Sequence, residues 1–371
     1  MNYKIIKETK GTKFDGCDFV LSLPKERAGK KIRLLQLTDM QVIDATQRRT
    51  PERLRPDEIE AWMPENFDTQ FANHARSLVA QSRPDLIFIT GDMVYGSFDD
   101  SGRVFEWFCN FMDSFGIPWA PVFGNHDNES KMGVAWQCEK FENSRFCLFK
   151  RGEVSGNGNY TVGIAVEDEI VRVIHLLDSN GCADCSDPEV IKERNIFKDQ
   201  WDLVFEHGAR INAAQNKMVP SFIAFHIPID PFKEAECAKG YCAKANNYVI
   251  GVDFEAKDDD FGFAKEKYST IKTEQGFAKH LNSQGIDGVF VGHVHNNCSV
   301  IRYEGIRWVF GLKTGQYDYH IPGQLGATEI TLEGDDFSVK HIPSLVVYAP
   351  MPGRCPIFDN MFAYGEDFAN K

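Results

Sequence analysis

The clearest hydrophobic signal in this chain is a run with no alternation. Residues 86–90, Leu-Ile-Phe-Ile-Thr, are apolar or β-branched throughout, which predicts a strand buried on both faces. Gly91 and Asp92 follow at once. The glycine lets the chain turn where a bulkier residue would clash. Asp92 then lies just past the carboxyl edge of a buried strand, where open α/β sheets place ligands. A half-buried carboxylate there needs a partner, because leaving it unpaired is costly.

The same rhythm recurs on both sides. Residues 31–38 predict a strand ending at Asp39-Met40-Gln41, and 118–123 predict one ending at Gly124-Asn125-His126-Asp127. Between them, the spacing of Phe67, Phe71, Ala75, Leu78 and Val79 predicts a helix over 67–81, with Pro84 beyond its end. A second helix, over 104–115, has an aromatic buried face. Strand, polar tip and helix in repetition is the βαβ pattern of a sheet covered by helices.

After Arg151 the pattern changes. Residues 159–166 and 170–178 read as antiparallel strands, 197–215 as a helix, and 221–225 as a strand ending at His226. A helix over 273–284 precedes a strand over 288–291 that ends in Gly292-His293-Val294-His295. Residues 300–303 and 307–310 form a hairpin, and 327–332 add a strand. Residues 19–23 read as an edge strand, 230–265 as an irregular insertion, and 346–371 as an extended tail. With no repeat, low-complexity tract or linker, the chain reads as one domain over 1–371, its core at about 32–332.

Composition narrows the function classes. A hydrophobic content of 43% supports a sizeable core, and a net charge of -13 argues against non-specific binding to nucleic acid or an anionic membrane. There is no run of 18 apolar residues for a transmembrane helix. The N-terminal residues lack the apolar segment and cleavage site of a signal peptide, so a cytoplasmic location is expected. Of ten cysteines, Cys182 with Cys185 and Cys237 with Cys242 are close pairs that suit a structural zinc site or a disulfide. The missing secretion signal favours reduced thiols. The polar stretch 44–68, with Arg48, Arg49, Arg53 and Arg55, is long for a connection, and is either a phosphate clamp or a solvated loop.

The chemistry lies in the strand ends. Asp39, Asp92, Asn125 with His126, His226, and His293 with His295 stand at five successive carboxyl ends. One such residue suggests only a helix cap or a structural hydrogen bond, but an ordered set of this kind points to metal. Mixed oxygen and nitrogen donors suit first-row divalent or trivalent ions rather than Ca²⁺ or Mg²⁺ alone. There are too many ligands for one tetrahedral zinc, so two ions are the natural count. Ions about 3.5–4 Å apart need a bridging carboxylate, and Asp92 is the candidate.

In this ordered set the chain resembles the calcineurin-like metallophosphoesterase superfamily, whose pattern is Asp-x-His, Gly-Asp, Gly-Asn-His-Asp/Glu, a lone His, and Gly-His-x-His. The stretches 225–228, 124–130 and 177–179 resemble its purple-acid-phosphatase-like subgroup. The resemblance implies an α/β (α+β) fold, a four-layer α/β/β/α sandwich of two mixed sheets flanked by helices. It implies that Asp39, Asp92 and His295 hold one metal and that Asp92, Asn125, His226 and His293 hold the other. It gives His126, steadied by Asp127, the role of proton or hydrogen-bond donor to the leaving oxygen. Gln41 departs from the pattern, standing where the superfamily has His. Purple acid phosphatases also lack that His and use the Tyr of Gly-Asp-x-x-Tyr, which Tyr95 matches. The open position therefore falls to Tyr95, to Gln41 or to water, with Tyr95 packed in its loop as the alternative to ligation.

These features lead to an expected phosphoesterase with two metal ions, Fe, Mn or Zn, in which a metal-bound hydroxide attacks a phosphate ester. The expected substrate is a small phosphorylated molecule or a phosphoprotein, with a monoester favoured over a diester and no nucleic acid or membrane partner. Two rival readings are a non-catalytic metal-bound scaffold and a structural zinc protein built on Cys182, Cys185, Cys237 and Cys242.

Overall fold

Two mixed sheets lie face to face, and the phenylalanines between them show why the central strands lack alternation. The computed structural model describes residues 3–44, 69–244, 246–321 and 323–345. The five-stranded sheet runs Asp336–Pro343, Gly326–Glu333, Ile32–Leu37, Leu86–Thr90, Trp119–Val122, with the last three strands parallel. The eight-stranded sheet runs Lys4–Ile6, Phe19–Leu23, Tyr160–Val166, Glu169–Leu176, Ser221–Ala224, Ile286–Val291, Ile306–Phe310, Val300–Tyr303. Phe88 of the first meets Phe290 of the second edge-on at 5.4 Å, and Phe222 meets Phe337 at 4.6 Å. Each central strand thus has one face on the other sheet and one under helices such as Thr69–Ser82 and Phe277–Ser283. The fold is the four-layer α/β/β/α sandwich.

Leu86–Thr90 coincides with its predicted span and is wholly buried. Two readings are corrected. Phe19–Leu23 is interior, paired to Lys4–Ile6 on one side and Tyr160–Val166 on the other, so it is not an edge. The segment 230–265 is ordered: Asp230–Lys239 is a helix, and Tyr248–Val249 pairs with Phe263–Ala264. Pro231 in the first turn and Gly240 at φ +84 are its start and stop signals. Phe232 packs on Phe310 at 4.8 Å. The helix Val134–Asn143 and the strand Asp336–Pro343 were not anticipated. The arginine-rich stretch 48–55 and the tail 346–371 lie outside the described residues.

At the end of the sandwich away from the carboxyl tips, Arg172 ties the sheets together. Its fully buried guanidinium donates to both oxygens of Asp287, at 2.7 and 2.6 Å, and to the Asp335 carbonyl at 2.7 Å. The first contact stays within the larger sheet, and the second reaches a hairpin turn of the smaller one. Arg172→Met is expected to destabilise the protein by about 3 kcal/mol, the low end for breaking a buried pair, because Asp287 keeps some contact with water. Urea unfolding measures this. A loss below about 1 kcal/mol would mean that apolar packing alone fixes how the sheets meet.

Candidate metal centre

Each functional side chain sits two to four residues past a strand, and at several of them the backbone is forced. Asp39, Gln41, Asp92 and His293 have φ of 52°, 48°, 51° and 71°. Non-glycine residues seldom take such angles, and they cluster where side chains must be aimed. Gly91 makes the Leu86–Thr90 turn at φ +87. Gly124 permits a close approach, since a Cβ there would fall 2.2 Å from Asp92 Oδ1. Behind the tips, Gln36 Nε2 donates to Thr90 Oγ1 and to the Val291 carbonyl, holding three strand ends from both sheets together.

The tips bring Asp39, Asp92 and His226 together, with one ligand atom from each inside a 4.8 Å span. His226 Nδ1 donates to the Thr90 carbonyl at 2.7 Å. Its Nε2 therefore faces Asp92 Oδ2 and His293 Nδ1, each at 3.3 Å. His295 is built alike. Its Nδ1 donates to the Tyr319 carbonyl at 2.9 Å, its ring stacks on Tyr319 at 4.2 Å, and its Nε2 faces Asp39 Oδ1 at 3.3 Å. Such second-nitrogen contacts fix the tautomer of a metal-ligating histidine.

Lone pairs aimed at carboxylate oxygens repel unless a proton or a metal cation lies between them. The preference for positive charge is strong. Burial works to lower His226, but the Asp92 carboxylate outweighs it and pushes the imidazole up to about 9. Burial likewise works to raise Asp39, yet His295 brings it down to about 2, while His226 holds Asp92 well below the usual carboxylate range. Asn125 decides between proton and metal. Its Oδ1 is buried without a hydrogen-bond partner, and an amide oxygen is satisfied by a donor or a cation, not by protonation. The donor set of Asp39, Asp92, Asn125, His226, His293 and His295 fits metal.

The other predicted residues are placed differently. Gln41 Oε1, the one ligating atom of its amide, accepts from the buried Lys313 Nζ at 2.8 Å. Gln41 is thus engaged by a lysine rather than aimed at a metal. Tyr95 is buried with its ring against His126, centroids 4.0 Å apart. Asp127 does not steady His126. Its carboxylate accepts the backbone N–H groups of Met93, Val94 and Gly124 at 2.9, 3.0 and 2.8 Å, lacing the Asp92 and Asn125 loops together. The carboxylate on His126 Nδ1 is Glu129, at 2.9 Å. His126 also donates its backbone N–H to Asp92 Oδ1 at 2.9 Å.

Cys182 and Cys185 are joined by a disulfide, and Cys237 and Cys242 are free. The reduced state expected for the first pair and the four-cysteine zinc site both fail. Among the described residues, the Asp39–Asp92–His226 group is the one cluster of acidic, histidine or cysteine ligands suited to a metal. The centre opens into a cavity of about 490 Å³ lined by His126, Asn125, His293 and His295 and margined by Lys192, Arg194 and Lys267.

Residues 32–297, most of the chain, match the Calcineurin-like phosphoesterase family. The chain belongs to that family. It is 26% identical over 273 residues to the Arabidopsis thaliana protein named "Probable inactive purple acid phosphatase 29", covering 67% of this chain and 63% of that one. It is 25% identical to "Phosphatase DCR2" of Saccharomyces cerevisiae, covering 59% of this chain and 37% of that one. The chain therefore spans under two thirds of the length of these relatives. Among solved structures, it is similar to a dimetal phosphatase from Danio rerio, at 11% identity and a TM-score of 0.45, covering 85% of this chain and 96% of that one. A purple acid phosphatase from yellow lupin seeds is also similar, at 12% identity and a TM-score of 0.42, covering 89% of this chain and 55% of that one. No helix among the described residues is long and apolar enough to cross a membrane.

Proposed function

We propose that this calcineurin-like phosphoesterase hydrolyses phosphate monoesters at a centre of two metal ions, Fe, Mn or Zn. The carrying observation is the unpartnered buried Oδ1 of Asn125 beside two carboxylates and three histidines. On this reading Asp39, Asp92 and His295 hold one ion, and Asp92, Asn125, His226 and His293 hold the other. When bound, such ions supply an activated water and neutralise charge on the phosphoryl oxygens.

The protein's own groups do the rest. His126 lines the cavity and gives its Nδ1–H to Glu129, so its other nitrogen is the one placed to hold a proton for the departing oxygen. Burial works against that proton, but Asp92 and Glu129 prevail and raise the imidazole pKa. Lys192, Arg194 and Lys267, exposed at the cavity margin, suit a phosphate dianion on a small molecule or a phosphoprotein.

The test compares p-nitrophenyl phosphate with bis-p-nitrophenyl phosphate, with Mn²⁺, Zn²⁺ or iron supplied. The monoester is expected to have at least a roughly tenfold higher kcat/KM, about 1.4 kcal/mol of transition-state preference. The reverse order would make the protein a phosphodiesterase. Gln41, which breaks the family pattern, favours one further reading, a metal-bound scaffold. Bound metal with neither ester turned over would establish it.

A further inference from the structure

The Asp39 side of the centre carries a buried lysine–glutamine pair. Lys313 lies just beyond the strand Ile306–Phe310 and is 1% exposed. Its Nζ donates to the Asp39 carbonyl and to Gln41 Oε1, both at 2.8 Å. Gln41, fully buried, turns its Nε2 toward Asp92 Oδ2 at 3.4 Å. An amide nitrogen has no lone pair for a metal, and the lysine nitrogen already engages the one oxygen that has any. Tyr95, the other sequence candidate for this side, is buried with its ring tilted against His126, centroids 4.0 Å apart.

The ligand sets are therefore unequal. Asn125, His226, His293 and the shared Asp92 make four on one side, whereas Asp39, His295 and Asp92 make three on the other. The smaller set also has a lysine amine group resting on the backbone of one of its members. Resting on the two-metal reading above, we propose that Lys313 and Gln41 make the centre asymmetric by construction. The ion on the Asn125 side is held firmly, and the ion on the Asp39 side is held loosely and exchanges with free metal. Ambient metal then sets how much of the protein carries both ions.

Isothermal titration of the chelator-stripped full chain with Mn²⁺, plus metal analysis after desalting, tests this without relying on turnover. The native protein is expected to show two binding events at least about a hundredfold apart, and to keep one equivalent through desalting. Outer partners of metal ligands typically shift affinity by roughly 10- to 100-fold. Two variants are expected to bring the weak event within about tenfold of the strong one, leaving the strong one unmoved, by the same scale. Gln41→Glu changes one atom and puts an anionic oxygen in the same place. Lys313→Met keeps the chain's bulk and removes the donor. Two equal events in the native protein, or a gap unchanged in both variants, overturn the proposal alone. A single event in all three proteins overturns the two-metal reading and the proposal with it.

Discussion

Asp92→Asn is expected to cost more than about a hundredfold in metal affinity, because a direct ligand should outweigh the outer partners whose loss already costs roughly 10- to 100-fold. Turnover of p-nitrophenyl phosphate is expected to fall by about a thousandfold, the scale of losing a principal electrostatic stabiliser. On the two-metal reading, Asp92 stands where the two ligand sets meet. Its Oδ1 takes the His126 backbone N–H at 2.9 Å, and its Oδ2 faces His226 Nε2 at 3.3 Å. Asparagine is the informative replacement because the site sits at φ 51, a left-handed conformation that Asn tolerates and Ala does not. The neutral amide keeps the turn and loses the charge, so the fold should survive while the metals leave. Metal analysis and the p-nitrophenyl phosphate assay on the same sample read both effects. Native metal content with native turnover would mean that the centre does not depend on this carboxylate.

The sequence showed most of this centre because strand ends are physically distinctive. A strand sandwiched between a second sheet and a helix layer cannot alternate, so Leu86–Thr90 announces itself, and the first polar residue after it must sit at a ligand edge. Side chains that act across the fold left no such mark. Lys313 is a single lysine beyond a strand, and nothing local says that it closes on Gln41 some 272 positions away. Glu129 and Asp127 are both acids within three residues of His126. Which one reaches the ring depends on the short 3₁₀ turn Asp127–Glu129, which folds the later residue back. In Asp230–Lys239, lysine and acidic residues masked a helix whose proline start and glycine stop were present. The disulfide was misread for a different reason: compartment reasoning weighs the cell, not the loop geometry that sets Cys182 and Cys185 side by side.

Three substitutions around His126 separate proton donation from loop construction. His126→Ala removes the donor and is expected to lower kcat by roughly 10²–10⁴ while leaving metal content intact, the range for a general acid. Glu129→Gln keeps an acceptor for Nδ1–H but removes a charge that raises the His126 pKa. A general acid works below its pKa, so with the pKa lowered the alkaline limb of the kcat profile is expected to move to lower pH. Whatever cations the centre holds, the Glu129 contribution keeps that sign. Asp127→Asn acts on the fold instead. Its carboxylate serves three backbone donors, and an amide has one oxygen where the carboxylate has two. Unmet buried donors cost about 1–3 kcal/mol, so a lower unfolding midpoint with an unmoved pH profile is expected. Should Asp127→Asn shift the profile and Glu129→Gln leave it unmoved, the positioning role would return to Asp127, and the Glu129 contact would be a local cap on the 3₁₀ turn.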